Sequence, residues 1–255
     1  MAMPDRMDER LRALDVVENQ RKAEALFAEA TRRALMAAGR SEYEASDRIG
    51  DLARELWGTR VRWPGRIVRS GPNTVPPYGE EPSADRVIGV GDTVTVHFGP
   101  LLGGHGTDYT RTVVLGDDPA RIRLREDLPA LFAAGRAAFH SDATFTGRQL
   151  HAELAALADK AGWSLGGRHA GHLAGEPPAT NPMCAPADAY IWPDNDRPLR
   201  RTTAGGWKAH WLLEIHLVDE HAASAARTRR SSISCEVSNE ARGRSGRRRP
   251  GPPGR

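Results

Sequence analysis

The sequence predicts an α+β protein, a sheet of antiparallel strands with helices packed on it, and three observations carry that prediction. Two segments alternate apolar and polar residues with the period of a strand, one of them folds back through a glycine-rich turn, and four other segments space their apolar residues as helices do. In Lys208–Asp219 the residues Trp211, Leu213, Ile215 and Leu217 form an apolar face, while His210, Leu212, Glu214 and His216 share the other. In Gly91–Gly116, Val94, Val96 and Phe98 oppose Thr93, Thr95 and His97. Gly103, Gly104 and Gly106 then allow a turn, and Thr107–Leu115 returns as the second arm of a hairpin, with Asp108 on the face of Thr110, Thr112 and Val114.

The helices read in order. Asp5–Ala38 carries Leu11, Leu14, Val17, Ala23, Leu26, Phe27, Ala30 and Leu35 at helical spacing and predicts a long amphipathic helix packed on the sheet. Ser41 and Glu44 resemble a capping box opening a second helix that runs to Trp57. Pro119–Phe139 and Thr146–Ala161 are the third and fourth, the last with Thr146 and Gln149 as a capping box and Gly162 as its stop. No internal repeat of short period is visible.

Of the 255 residues, about 220 have the composition of one domain with a single core. The boundaries expected are 1–58 for the N-terminal helices, 59–221 for the main domain and 222–255 for a disordered tail rich in Arg, Gly, Pro and Ser. That tail holds nine arginines against two glutamates, a net of +7 within a chain of +3, so residues 1–221 carry −4 and the basic balance belongs to the tail alone. With no aromatic residue interleaved among those arginines, nucleic acid is not the expected partner. GC-rich coding DNA read in another frame yields such a composition. Cys184 and Cys235 are too few and too far apart for a disulfide framework or a zinc ribbon, which points to a reducing cytoplasm. A charged beginning and the lack of a long apolar run predict neither an export signal nor a membrane span.

The chemistry rests on residues in separate segments: His97, Asp108, His172 in AGHLAGE, and Glu214 in HWLLEIHLVD. Carboxylates and neutral imidazoles together suit zinc or another transition metal, and such an ion activates water for hydrolysis. The run GDTVTVHFGPLLGGHGTDYTRTVVLGDDP, then AGHLAGE, then HWLLEIHLVD, resembles the metallopeptidase family of methionine aminopeptidase, aminopeptidase P, prolidase and creatinase, whose fold is called pita-bread. The upstream RIVRSGPNTVPPYGEEP is similar to bacterial Xaa-Pro peptidase-like members, and the resemblance spans about residues 40–220. It implies a curved antiparallel sheet, two pseudo-symmetric halves, and a dinuclear site of two aspartates, one histidine and two glutamates. Asp108 matches the bridging aspartate, His172 the histidine and Glu214 the first glutamate.

The chain departs from that pattern at four places. His97 stands where the first aspartate belongs, Pro64 and Ala179 stand where histidines are found, and no matching final glutamate follows, Glu236 and Glu240 lying in the tail. The full site neutralises two dications with about four carboxylates, whereas Asp108 and Glu214 balance only one. The expected cofactor is therefore one divalent ion at most, manganese, iron, cobalt or zinc, held by Asp108, His172 and Glu214 with His97 as fourth ligand. His210 and His216 share Glu214's face and are the candidates for proton transfer.

Three functions follow from this set. The first is an impaired metal-dependent hydrolase of the Xaa-Pro peptidase type, acting on a small peptide or amide-containing metabolite and pairing as a homodimer. The second is a noncatalytic relative kept for binding, or a decayed copy. The third is mononuclear nonhaem iron chemistry at His97, His172 and one carboxylate. His105 and His169 are expected outside the ligand set, and Arg111, opposite Asp108, in a structural ion pair.

Overall fold

The computed structural model describes residues 6–58, 66–77, 80, 84–98, 108–174, 186–203, 205–221 and 224–232. His105, Pro64, Ala179, Glu236, Glu240, Cys184 and Cys235, named above, lie outside the described residues, as does the stretch 233–255 of the expected tail. The helices are α1 (Arg6–Arg32), α2 (Glu42–Trp57), α3 (Pro119–Ser141) and α4 (Gly147–Lys160). The strands are β1 (Val68–Ser70), β2 (Thr93–His97), β3 (Thr110–Val114), β4 (Ser164–Leu165), β5 (Gly171–Leu173), β6 (Trp211–Asp219) and β7 (Ser224–Ser232). Together they make one sheet in the order β1-β2-β3-β7-β6-β4, with β5 also on β6 and every pairing antiparallel.

Period two decides which side of that sheet is greasy. Val94, Val96 and Phe98 bury with Leu26 of α1 and Ile49 and Leu52 of α2 in one apolar cluster. Trp211, Leu213, Ile215 and Leu217 bury with Leu124 and Leu128 of α3 and Leu150 and Leu154 of α4 in a second. The opposite face collects the polar members of the same strands, because Thr95 pairs with Thr112 and Arg227 pairs with His216 across neighbouring strands. This polar face holds the candidate site.

Local chemistry sets the helix ends. Thr146 Oγ1 accepts from Gln149 N at 3.2 Å and Gln149 Oε1 accepts from Thr146 N at 2.9 Å, a complete capping box. Ser41 Oγ accepts from Glu44 N at 3.2 Å, and Gly58 closes α2 in the left-handed conformation at φ 63°. Glu42, fully buried in the first turn of α2, accepts from Arg66, Ser70 and Asn73 and so ties β1 and the turn after it to that helix.

Two elements differ from the sequence reading. In α1 the residues Leu11 and Leu14 are exposed, while Ala13, Val16, Ala23, Leu26 and Ala30 are buried. Glu9 lies on that same stripe and meets His210 at 2.6 Å, so a buried polar contact turns the start of the helix away from its two leucines. The larger correction is β7. Ser224–Ser232 was assigned to the tail from Ala222 onward, without a core element, yet it forms a nine-residue strand paired with β6 along its whole length. Pairing satisfies its backbone, and small side chains such as Ala226 suffice against the helices, so no apolar run is needed. Among the described residues, no helix is long and apolar enough to cross a membrane.

Candidate metal centre

Three strands bring the predicted residues to the polar face. His97 closes β2 opposite Thr110, and Asp108, two residues before Thr110, keeps to the same side of the hairpin. His97 Nε2 lies 2.5 Å from Asp108 Oδ1. The other carboxylate oxygen, Asp108 Oδ2, lies 3.2 Å from His172 Nε2 on β5. Gly171 explains how β5 comes so near β6: a Cβ there would sit 2.0 Å from the Leu212 carbonyl oxygen, and its φ is 141°. Only glycine keeps this approach, which fixes where His172 emerges.

The hydrogen bonds of His172 fix its tautomer. Nδ1 lies 3.0 Å from the Leu173 carbonyl oxygen, which accepts only, so Nδ1 carries the proton. In the neutral ring, Nε2 then presents a lone pair to a carboxylate oxygen that is also an acceptor. Two acceptors 3.2 Å apart call for a cation or a proton between them, and donors bonded at about 2.1 Å to one ion lie about 3 Å apart. His169 packs its ring 4.9 Å from that of Tyr190 and edge-on to His172.

Glu214 is in different company. It is buried in the middle of β6, and Arg227 of β7, buried too, places Nε 3.3 Å from Glu214 Oε1. The same guanidinium donates from Nη2 to His216 Nδ1 at 2.9 Å and to the Pro76 carbonyl oxygen at 3.4 Å, a carbonyl that also accepts from buried Arg69 at 3.2 Å. Burial, with the Arg227 charge beside it, drives the His216 pKa well below its usual 6.5 and keeps the ring neutral. The second proton-transfer candidate, His210, is buried against Glu9 of α1. Arg111 lies 4.0 Å over the Tyr109 ring and donates to Thr228 Oγ1 at 2.8 Å, a bracing role between β3 and β7.

The structure thus joins Asp108 to His97 and His172, and Glu214 to Arg227. Among the described residues, no group of three or more His, Cys, Asp or Glu side chains is arranged to hold a metal ion. Of the five ligands that the resemblance implies, the described residues include Asp108, His172 and Glu214. β7 runs between β3 and β6, and the position in register with both Thr110 and Glu214 is Arg229. One cation at Asp108 and His172 fits the facing acceptors. Arg227 was missed in the sequence, although the alternation of Arg227 and Arg229 with Ala226 and Thr228 is a strand signal.

The profile of metallopeptidase family M24 matches residues 18–203. Among solved structures, the chain is similar to an X-Pro aminopeptidase from Thermotoga maritima, with 20% identity and a TM-score of 0.64, covering 90% of this chain and 59% of that one. It is equally similar in fold to a dipeptidase from Pyrococcus horikoshii, with 21% identity and a TM-score of 0.64, covering 92% and 59%. A methionine aminopeptidase from Thermotoga maritima matches with 15% identity and a TM-score of 0.57, over 85% of this chain and 92% of that one. The chain therefore spans 59% of the length of the first two. No curated protein matches the sequence. A profile that runs through α1, both arms of the hairpin and the His172 strand, on a sheet shared with these enzymes, makes this chain a member of metallopeptidase family M24, with the pita-bread fold.

Proposed function

We propose that the protein is a metal-dependent hydrolase of short peptides or amide-containing metabolites, using one weakly held divalent ion at Asp108 and His172 with His97 as further donor. The observation that carries this reading is the pair of acceptors, His172 Nε2 and Asp108 Oδ2, facing each other at 3.2 Å. A divalent ion there would supply Lewis-acid polarisation and an activated water. The chain's own part is positional. Leu173 holds the His172 ring through Nδ1, and His97 holds Asp108 through its other oxygen. We assign His210 and His216 to fastening α1 and β7 rather than to proton transfer, since Glu9 and Arg227 already engage them.

The X-Pro aminopeptidase and dipeptidase among the similar structures support a short peptide, of the Xaa-Pro kind, as substrate. A homodimer and a cytoplasmic setting complete the proposal. Family membership favours hydrolysis over oxygen chemistry at a single iron. A second reading, noncatalytic peptide binding, draws on the buried Arg227–Glu214 pair, which satisfies one of the two carboxylates without any metal. Elemental analysis after loading with manganese or cobalt, beside a dipeptide hydrolysis assay, separates the two. The first reading expects about one equivalent of metal and slow turnover, both lost in Asp108→Asn. Peptide binding without metal or turnover would select the second.

A further inference from the structure

We infer that Arg227 is the resident cation of this site: its guanidinium neutralises Glu214 in the place of a divalent ion and keeps Glu214 out of the ligand set. The inference deepens the single-ion reading, on which it rests for the position of the remaining ligands. A buried carboxylate needs a compensating positive charge, and either a metal or a guanidinium provides it. Here the guanidinium is already in place. Glu214 and Arg227 are 4% and 6% exposed, their contact is 3.3 Å, and arginine does not lose its proton at any pH at which the fold survives.

Three further contacts make this arrangement a built one. Arg227 donates to His216 Nδ1 and to the Pro76 carbonyl, and its backbone N–H and C=O both bond Thr112 Oγ1 on β3, at 2.8 and 2.9 Å. The strand is therefore pinned between β3 and β6 with this side chain aimed at Glu214. Arg69, buried on β1 in the same row as Thr95, reaches the same Pro76 carbonyl. Two buried guanidiniums thus converge on one carbonyl beside Glu214, and Arg227 supplies the charge opposite that carboxylate. A dication entering beside them meets like charge in a setting where solvent screens little.

The test is cobalt binding by calorimetry, with the cobalt visible spectrum as a second readout, on the full chain and four variants. Glu214→Gln is expected to leave the cobalt spectrum of the wild type unchanged, with an affinity no higher than wild type because Arg227 then stands without its counter-charge. Arg227→Gln is expected to tighten binding about tenfold or to add a second equivalent, as a released carboxylate joins the ion. That gain is expected to vanish in Arg227→Gln with Glu214→Gln, and Arg227→Lys, which keeps the charge, is expected to bind as the wild type does. A changed cobalt spectrum in Glu214→Gln, or Arg227→Gln binding no better than wild type, would overturn the inference. If wild type binds no cobalt while Arg227→Gln does, the single-ion reading fails and the role of Arg227 stands. Should Arg227→Gln not fold, the Glu214→Gln comparison decides, because it asks directly whether Glu214 is a ligand.

Discussion

The two carboxylates Asp108, just before β3, and Glu214, on β6, lie on either side of β7, yet their surroundings differ in kind. Asp108 is held by two imidazoles, at 2.5 and 3.2 Å, whose nitrogens donate or accept according to their protons. Glu214 is held by a guanidinium, which is charged always. An imidazole leaves a carboxylate's charge available to an ion, and a guanidinium consumes it. Retaining a ligand residue is therefore not the same as retaining a ligand, since the neighbour decides what the carboxylate can still bind.

The largest expected effect comes from cutting the Glu214 side. Arg227→Ala leaves a buried carboxylate uncompensated, and urea denaturation of metal-free protein should register a loss of about 3–5 kcal/mol. Replacing both partners, Arg227→Met with Glu214→Leu, should restore most of that, and a double replacement as unstable as the single would mean that the pair is not what stabilises this corner. Next is the Asp108 side. Asp108→Asn should reduce cobalt affinity about 100-fold, near 2.7 kcal/mol, with little change in stability measured without metal. Unchanged affinity in that variant would erase the contrast drawn here.

Two smaller effects act as controls far from both corners. Thr146→Ala removes half of the α4 capping box and should cost about 1 kcal/mol, read as a lower urea midpoint, with cobalt affinity unaltered. The smallest concerns acid. His151 on α4 has its pKa lowered by burial, and its Nε2 is buried without a hydrogen-bond partner among the described residues. The fold thus favours the neutral ring, so its contribution is complete above the ordinary value of 6.5 and is lost as pH falls below it. A urea series from pH 7.5 to 5 should show stability falling in this window, and His151→Gln should flatten the slope; an equal slope in the variant would assign it to other groups.

Much of this was legible in the chain. The alternation at Val94–Phe98 and Trp211–Leu217 gave the correct buried faces because one side of the sheet is covered by helices and the other is polar. Thr146 with Gln149 announced α4 through contacts only three residues apart. That His97 and Asp108 could meet was legible because hairpin geometry acts locally. What stayed hidden depends on distant partners. The stripe of α1 was misread at Leu11 and Leu14 because its register answers to His210, some two hundred positions downstream. β7 escaped notice because Ser, Ala, Arg and Thr form no hydrophobic pattern, and a strand flanked by two neighbours draws its stability from backbone pairing. With β7 unseen, nothing in the segment around Glu214 disclosed that an arginine would stand beside it.

The placement of β7 has a consequence for how the molecule comes into being. β1, β2 and β3 lie on one flank and β4, β5 and β6 on the other, and among the described residues the strand that joins the flanks is the last of the seven in sequence. Where β7 has yet to pair, β3 and β6 each present an open edge, the geometry that invites strand exchange between molecules. Nine residues thus cover two edges at once.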